Sequence, residues 1–170
     1  MEWHGCDPPL EGKSLAIIRV RSVLLDSSVV IKWFRKSEIW REEAVLLRRE
    51  YLEGRLMIYV PDLLILEIAN VLRHKKDLSR QQVLSAIKSL YGLKIEILNL
   101  SRAMINKAIE LAYSRDLTLY DASFVAAAHH LNIPFVTADE KLIQKLGDLS
   151  GVYHIKNFSL ECVEGLGRLS

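Results

Sequence analysis

The sequence predicts a three-layer α/β/α domain with a mostly parallel central sheet. Short apolar segments typical of strands alternate with helical segments along the chain, a pattern characteristic of parallel α/β domains. The chain has 170 residues and 50% of them are hydrophobic, so its length and composition suit one domain with a sizeable core. We therefore predict a single domain over residues 22–157, with a leader at 1–21 and a tail at 158–170.

Strands are predicted where a short apolar run lies between turn residues, and helices where apolar residues recur at helical spacing. Ser79 and Ser101 are typical N-cap residues, Pro61 suits a helix entrance, and Gly92 and Gly147 are helix stops. In chain order, the predicted elements are a strand at 22–25, a helix opening at Ser28, a helix at 38–53, a strand at 57–60, a helix at 62–75, a helix from Ser79 to Gly92, a strand at 95–98, a helix from Ser101 to Ser114, a helix at 120–131, a strand at 135–137, a helix at 139–146 and a strand at 152–155.

The composition excludes several classes of protein. There are 23 Lys plus Arg against 21 Asp plus Glu, a net charge of +2, which excludes a bulk polycation but leaves room for a local basic groove. Cys6 and Cys162 lie near opposite ends, so a disulfide framework or a structural zinc site is not expected. No apolar run approaches the roughly 20 residues that span a bilayer, and the first residues lack a signal-peptide pattern. We expect a cytoplasmic protein without a membrane partner.

Four acidic residues lie in apolar sequence at positions that four different elements bring to the sheet: Asp26, Glu67, Asp121 and Asp139. In an open parallel sheet, the strand ends that lead into helices share one edge, where sites form. A buried carboxylate is costly unless it caps a helix, pairs with a cation or binds a metal. Oxygen ligands of this kind suit Mg²⁺ or Mn²⁺, so the pattern favours a metal centre at that edge.

Each acid also has an ordinary structural explanation. Asp26 could cap the helix near Ser28, and Asp121 could be a helix N-terminal carboxylate. Thr137 and Glu140 fit a capping box, which would leave Asp139 as a favourable charge in the first helical turn.

Glu67 lies in the middle of an apolar helix, where it could pair with Arg73 or extend to solvent, although the second is difficult in so apolar a helix. Asn70 and His74 follow it at i+3 and i+7 and form a narrow polar stripe.

His129 and His130 are adjacent and point to different parts of a helix face, so they do not suggest a shared zinc. The basic run 73–76 is either a solvated helix end or a nucleic-acid contact.

Four segments together resemble the motifs of PIN-domain ribonucleases, specifically VapC-like toxins of type II toxin–antitoxin pairs. They surround the four acids in the expected order, and the resemblance runs from about Ser22 to Ile155. The segments are 23–34 (VLLDSSVVIKWF), 61–72 (PDLLILEIANVL), 117–128 (LTLYDASFVAAA) and 134–142 (PFVTADEKL).

The resemblance implies a role for each matching residue in a Mg²⁺- or Mn²⁺-dependent endoribonuclease. The four acids would be the catalytic metal ligands, with Asp26 and Asp121 shared and Glu67 and Asp139 direct or water-mediated. The predicted supporting residues are Ser28, Asn70 and Thr137. The predicted contacts to RNA phosphates are Lys32, Arg35, Arg73 and Lys75.

The resemblance also implies partners: an RNA substrate, a cognate antitoxin protein and a second copy of the chain in a homodimer. The large apolar residues of 33–34, 39–40 and 46–47 exceed what two short helices can bury, so we expect the antitoxin to dock there. One alternative is a PIN nuclease of RNA processing or DNA repair. The other is a non-catalytic α/β binding module whose acids are only caps, which a failure to bind metal would distinguish.

Overall fold

The computed structural model describes residues 21–160. Almost all of the predicted leader and most of the predicted tail lie outside this range. Within it, no helix is both long and apolar enough to cross a membrane.

The central sheet has five strands, and all of its pairings are parallel. Every predicted strand is present, which confirms the α/β class. The strand order is β3-β2-β1-β4-β5, with β1 and β4 side by side in the interior. The strands are β1 Arg21–Leu25, β2 Leu56–Pro61, β3 Glu96–Leu98, β4 Phe135–Thr137 and β5 Val152–His154.

The helices follow the predicted order, with changes at several ends. Ser79 and Ser101 are N-caps as predicted: the Ser79 hydroxyl accepts from Gln82 N at 3.3 Å, and Gln82 Oε1 accepts from Ser79 N at 2.8 Å. The helices are α1 Ser27–Val30, α2 Arg41–Leu52, α3 Leu63–Arg73, α4 Arg80–Gly92, α5 Arg102–Arg115, α6 Leu119–Leu131 and α7 Glu140–Leu146, with short 3₁₀ helices at Ile31–Trp33 and Ile155–Asn157.

Two predicted helix boundaries were wrong. Helix α2 begins at Arg41 rather than near 38, because Trp40 has a left-handed backbone with φ 61° and cannot continue a helix. Pro61 belongs to β2 rather than to the next helix. It pairs with Leu98 of β3, and Asp62 caps α3 in its place, accepting from Leu63 N at 2.8 Å.

The helices form a layer on each face of the sheet. Helix α1 contacts α2 and α3, and α3 contacts α4, whereas α5 contacts α6. This separation is the arrangement that right-handed crossovers give, because the chain moves outward from β1 to β3 and then returns to β4 and β5. Helix α6 buries the whole segment 122–128, which is mostly alanine, and its small side chains allow it to lie against β1, β2 and β4.

Strands β1 and β4 are neighbours, but the connections that follow them leave toward opposite edges of the sheet. Such a switch point opens a crevice at the carboxyl ends of the two strands, where α/β proteins commonly bind ligands. Asp26 directly follows β1, and Asp139 lies two residues after β4. The strand order therefore places both acids at this crevice.

Candidate metal centre

Asp26 is the most buried of the four acids, with only 6% of its surface exposed. Its Oδ2 accepts from the hydroxyls of Ser28 at 2.5 Å and Thr137 at 2.6 Å, and its Oδ1 accepts from Ser27 N at 2.8 Å. Burial raises the pKa of Asp26 above its ordinary value, the hydroxyl hydrogen bonds oppose that rise, and the charge of Asp121 adds to it. These hydrogen bonds fix the orientation of the Asp26 carboxylate, but they compensate its negative charge poorly.

The two hydroxyls also connect Asp26 to the start of α7. Ser28 Oγ accepts from Ala138 N at 2.9 Å, and Thr137 Oγ1 accepts from Asp139 N at 3.0 Å. The capping-box interpretation of Thr137 was wrong, because Thr137 is not the N-cap of α7 and its hydroxyl accepts from Asp139 N while donating to Asp26. The N-cap of α7 is Asp139 itself, whose Oδ1 accepts from Lys141 N at 2.8 Å and Leu142 N at 3.1 Å.

Glu67 projects from the middle of α3 and is half-buried. Burial is the main cause of its raised pKa, a hydrogen bond with the Ser27 side chain opposes it, and the charges of Asp26 and Asp121 raise it further. Ser27 therefore links the first and second motifs. The sequence analysis missed this residue, although its position beside Asp26 was a signal.

Asp121 lies in the first turn of α6, and Thr118 holds it in a local cap. Thr118 Oγ1 donates to Asp121 Oδ2 at 2.7 Å and accepts from Asp121 N at 3.1 Å. Thr118 was also missed, although a threonine three residues before an acid at a helix start is a recognisable capping pattern.

The structure brings three of the four predicted acids into mutual electrostatic range: Asp26, Glu67 and Asp121. The carboxylate of Asp139 is instead engaged at the N terminus of α7, and only the backbone N–H of Asp139 connects to Asp26, through the Thr137 hydroxyl. Within residues 21–160, no three acidic, histidine or cysteine side chains are already close enough to form a closed metal-binding group.

The donor set nevertheless suits a hard divalent cation. All the facing groups are carboxylate oxygens, and the raised pKa values of Asp26 and Glu67 reflect burial and like-charge repulsion. A cation bound between them would relieve both effects. Mg²⁺ and Mn²⁺ prefer such oxygen ligands, and Mg²⁺ commonly uses only one or two carboxylates and keeps several waters.

The other predicted site residues lie outside this acidic cluster. Asn70 is exposed, and its Oδ1 accepts from Arg73 Nη2 at 3.3 Å. Lys32 is buried and lies 3.7 Å from Glu38, and Arg35 is held by Asp77 at 2.7 Å, so both predicted phosphate contacts are already paired. Arg73 is exposed and Lys75 is half-exposed.

Comparisons with known proteins support the fold. The PIN domain family model matches residues 23–148. No curated protein sequence matches significantly.

Among solved structures, PAE2754 from Pyrobaculum aerophilum is 19% identical with a TM-score of 0.58, and the match covers 89% of this chain and 99% of that one. VapC20 of Mycobacterium tuberculosis, described as a Sarcin-Ricin loop cleaving toxin, is 12% identical with a TM-score of 0.56, covering 72% and 93%. VapBC2 from Rickettsia felis, bound to a promoter DNA fragment, is 15% identical with a TM-score of 0.59, covering 78% and 98%. Given the family match over most of its length, the chain belongs to the PIN domain family.

Proposed function

We propose that this protein is a metal-dependent endoribonuclease and the toxin of a type II toxin–antitoxin pair. The observation that carries the proposal is that Asp26, at the switch point of a PIN domain, and Glu67 and Asp121 lie close enough for their charges to act on one another. Several structural neighbours are toxin–antitoxin proteins, which supports the biological role.

The residues of the centre have distinct tasks in this proposal. Asp26 and Asp121 would hold a shared ion, with Glu67 and Asp139 as further direct or water-mediated ligands. A bound Mg²⁺ or Mn²⁺ would supply an activated water and neutralise charge on the scissile phosphate. Ser28 and Thr137 hold the Asp26 carboxylate in one orientation, and Thr118 does the same for Asp121.

Incubation of the purified protein with end-labelled RNA tests the activity directly. Internal cleavage in Mn²⁺ or Mg²⁺, and none in EDTA, is the expected result. Intact RNA under both conditions would contradict the proposal. A PIN nuclease of RNA processing or repair would also cleave, and the absence of an antitoxin gene next to this one would favour that alternative.

The non-catalytic alternative treats the acids as helix caps. Asp26 and Asp139 do accept backbone N–H groups at helix starts, so capping is part of their role. Capping does not account for Glu67, which lies in the middle of α3 and approaches the other two acids across the fold. This residue favours a site over a set of independent caps.

The proposed antitoxin surface is smaller than the sequence suggested. Trp33 and Leu47 are buried at 6% and 3% exposure, and Trp40 packs edge-on against His154 with ring centroids 5.9 Å apart. Ile39 at 73% and Leu46 at 42% remain exposed. We propose that an apolar antitoxin segment covers these two side chains.

Replacing both side chains with aspartate, in Ile39→Asp/Leu46→Asp, should weaken binding of the antitoxin encoded by the adjacent gene. A buried, unpaired charge in an interface is costly, so a loss on the order of tenfold or more is expected. Copurification and calorimetry measure it. Leu52→Asp is the control, because Leu52 is 61% exposed on a different face of α2. If the double variant and the control bind the antitoxin with equal affinity, the interface lies elsewhere.

A second apolar surface lies beside the acids and is our proposed homodimer contact. A groove of about 310 Å³ is lined mainly by apolar residues of α3, α5 and α6. Leu66, Leu119 and Tyr120 at this surface are exposed by 70%, 45% and 63%. Exposed apolar surface of this kind marks a protein interface more often than a solvated face.

Leu66→Asp should convert the dimer to a monomer, because it introduces a charge into an apolar, self-complementary contact. Size-exclusion chromatography with light scattering measures the molar mass. Leu52→Asp, the same substitution at a similarly exposed leucine on α2, should leave the mass unchanged. A wild-type chain that is monomeric at high concentration would refute the proposed dimer.

A further inference from the structure

His154 ends β5 in register with Thr137, whose hydroxyl orients the Asp26 carboxylate. It is buried, with 4% of its surface exposed. None of the four motifs that surround the acids contains it. Because the strands are parallel, the carboxyl end of β5 lies on the same edge of the sheet as Asp26. His154 is therefore a buried titratable group beside the acidic cluster that the proposed function leaves without a role.

One ring nitrogen of His154 has a partner that fixes where the proton of the ring lies. Nδ1 accepts from Lys156 N at 3.1 Å and so caps the short 3₁₀ helix at Ile155–Asn157. Burial lowers the pKa of His154, and the positive charges of Lys156 and Lys32 act in the same direction, which favours the neutral ring. A neutral imidazole has a single N–H, so an accepting Nδ1 leaves the proton on Nε2.

The Nε2–H group has one acceptor available to it, the backbone of Ala138. Nε2 is buried, and within residues 21–160 no atom completes a full hydrogen bond to it. The Ala138 backbone nevertheless raises the pKa of the imidazole, which is the effect of a carbonyl oxygen that accepts from the ring. Because a buried N–H without an acceptor is unfavourable, a small shift that brings the two atoms together is favoured.

The carbonyl of Ala138 and the N–H of Asp139 belong to one planar peptide group. The N–H end of that group donates to Thr137 Oγ1 at 3.0 Å, and Thr137 Oγ1 donates to Asp26 Oδ2 at 2.6 Å. The hydroxyl has one proton, so accepting from Asp139 N leaves that proton for Asp26. A contact at the carbonyl end would hold the whole peptide plane, and with it the hydroxyl that orients Asp26.

The indole of Trp40 restricts the orientation of the imidazole. Their ring planes meet at 83°, and the ring centroids lie 5.9 Å apart. The left-handed backbone of Trp40 is uncommon for a bulky residue, and such strained conformations persist only where the surrounding structure fixes them, often at functional sites. The strain at Trp40 is a second, independent observation that favours a fixed position for the His154 ring.

We propose that His154 is a positioning residue for the acidic cluster. Its Nε2–H donates to the Ala138 carbonyl oxygen and fixes the peptide plane between residues 138 and 139, which keeps the Thr137 proton on Asp26. In this role His154 touches neither RNA nor metal and acts only through the backbone. Its effect on cleavage rests on the proposed ribonuclease function, whereas its effect on the peptide plane is a property of the metal-free protein.

Two substitutions separate the roles of the two ring nitrogens. The side-chain N–H of glutamine reaches the position of Nε2–H, so His154→Gln keeps a donor for Ala138 and loses the cap. The side-chain oxygen of asparagine lies near the position of Nδ1, so His154→Asn keeps the cap at Lys156 N and loses the donor. Both variants lose the aromatic ring, so they share any effect of lost packing.

Amide hydrogen exchange in the metal-free protein, followed residue by residue with NMR, reports on the peptide plane. His154→Asn should speed the exchange of the Asp139 amide by about tenfold and leave the Lys156 amide close to wild type, because only the first loses its support. His154→Gln should show the reverse pattern. A ring that merely filled space would give the same change at both amides in both variants.

Cleavage of end-labelled RNA in a series of Mn²⁺ concentrations measures the effect on the site. Loss of a group that supports a metal ligand costs about 10–100-fold, so His154→Asn should raise the Mn²⁺ concentration for half-maximal activity or lower kcat within that range. The KM for RNA should stay close to wild type, and His154→Gln should keep most activity. His129→Asn is the control, because His129 contacts the Ser150 carbonyl oxygen at the far end of α6 from Asp121.

Equal effects of His154→Gln and His154→Asn on the Asp139 amide and on cleavage, or no effect of either, would overturn the inference. If His154→Asn does not fold, His154→Gln decides: slow exchange at Asp139 supports the inference, and fast exchange overturns it. RNA left intact by the wild-type protein would refute the ribonuclease proposal, and the exchange pattern would still decide whether His154 holds the peptide plane.

Discussion

Asp121→Asn is expected to abolish nearly all metal-dependent RNA cleavage. Substitution of groups that merely support metal ligands costs about 10–100-fold, so loss of a direct shared ligand should cost on the order of a hundredfold or more. Asparagine keeps the shape of the side chain and can still accept from Thr118 Oγ1, so the start of α6 should survive. Initial rates with end-labelled RNA in Mn²⁺ measure the loss, and circular dichroism checks the fold.

Asp116→Asn is the matched control, because it makes the same chemical change five residues earlier. Asp116 is an exposed C-cap of α5 with φ 51°, a left-handed conformation that asparagine also tolerates. Its carboxylate pairs with Lys145 at 2.9 Å at the surface, where such pairs contribute little. We expect most activity to remain. If Asp116→Asn were inactive and Asp121→Asn active, the third motif would be misplaced.

Mn²⁺ or Mg²⁺ should raise the melting temperature of the wild-type protein near neutral pH. An ion that binds only the folded state at a hundred times its Kd adds about 2.7 kcal/mol. For a domain of this size, that corresponds to roughly 5–10 °C. Differential scanning fluorimetry with and without EDTA measures the shift.

The pH dependence of this gain follows from the raised pKa values of Asp26 and Glu67. Above the ordinary carboxyl values of 3.8 and 4.5, the folded state keeps protons that the unfolded chain has released. These two groups therefore contribute less to the stability of the metal-free protein as the pH rises from those ordinary values through their raised pKa values in the folded state. Metal needs the ionised carboxylates, so its stabilising effect should be larger near pH 7.5 than near pH 5.

The double variant Asp26→Asn/Asp121→Asn should show no metal-dependent gain at either pH, since two of the proposed ligands are gone. Asp116→Asn/Asp148→Asn is the control with the same loss of charge, because both of its acids are exposed and paired at the surface. A gain in the acidic-cluster variant equal to that of wild type would place any metal site elsewhere.

The sequence by itself determined the class of fold and most of its elements. The apolar runs that became β1 and β4, and the caps at Ser79 and Ser101, depend on residues only a few positions apart. Such local patterns are readable without a structure because the hydrogen bonds that create them are local. The PIN family was recognisable for a related reason: each motif surrounds its acid within one short segment.

Only the tertiary structure decided how these pieces act on one another. The strand order placed Asp26 at the switch point, and the packing of α3 and α6 put Glu67 and Asp121 within electrostatic range of it, which no single motif contains. Packing also changed individual roles: it turned the Thr137 hydroxyl toward Asp26 and buried Lys32.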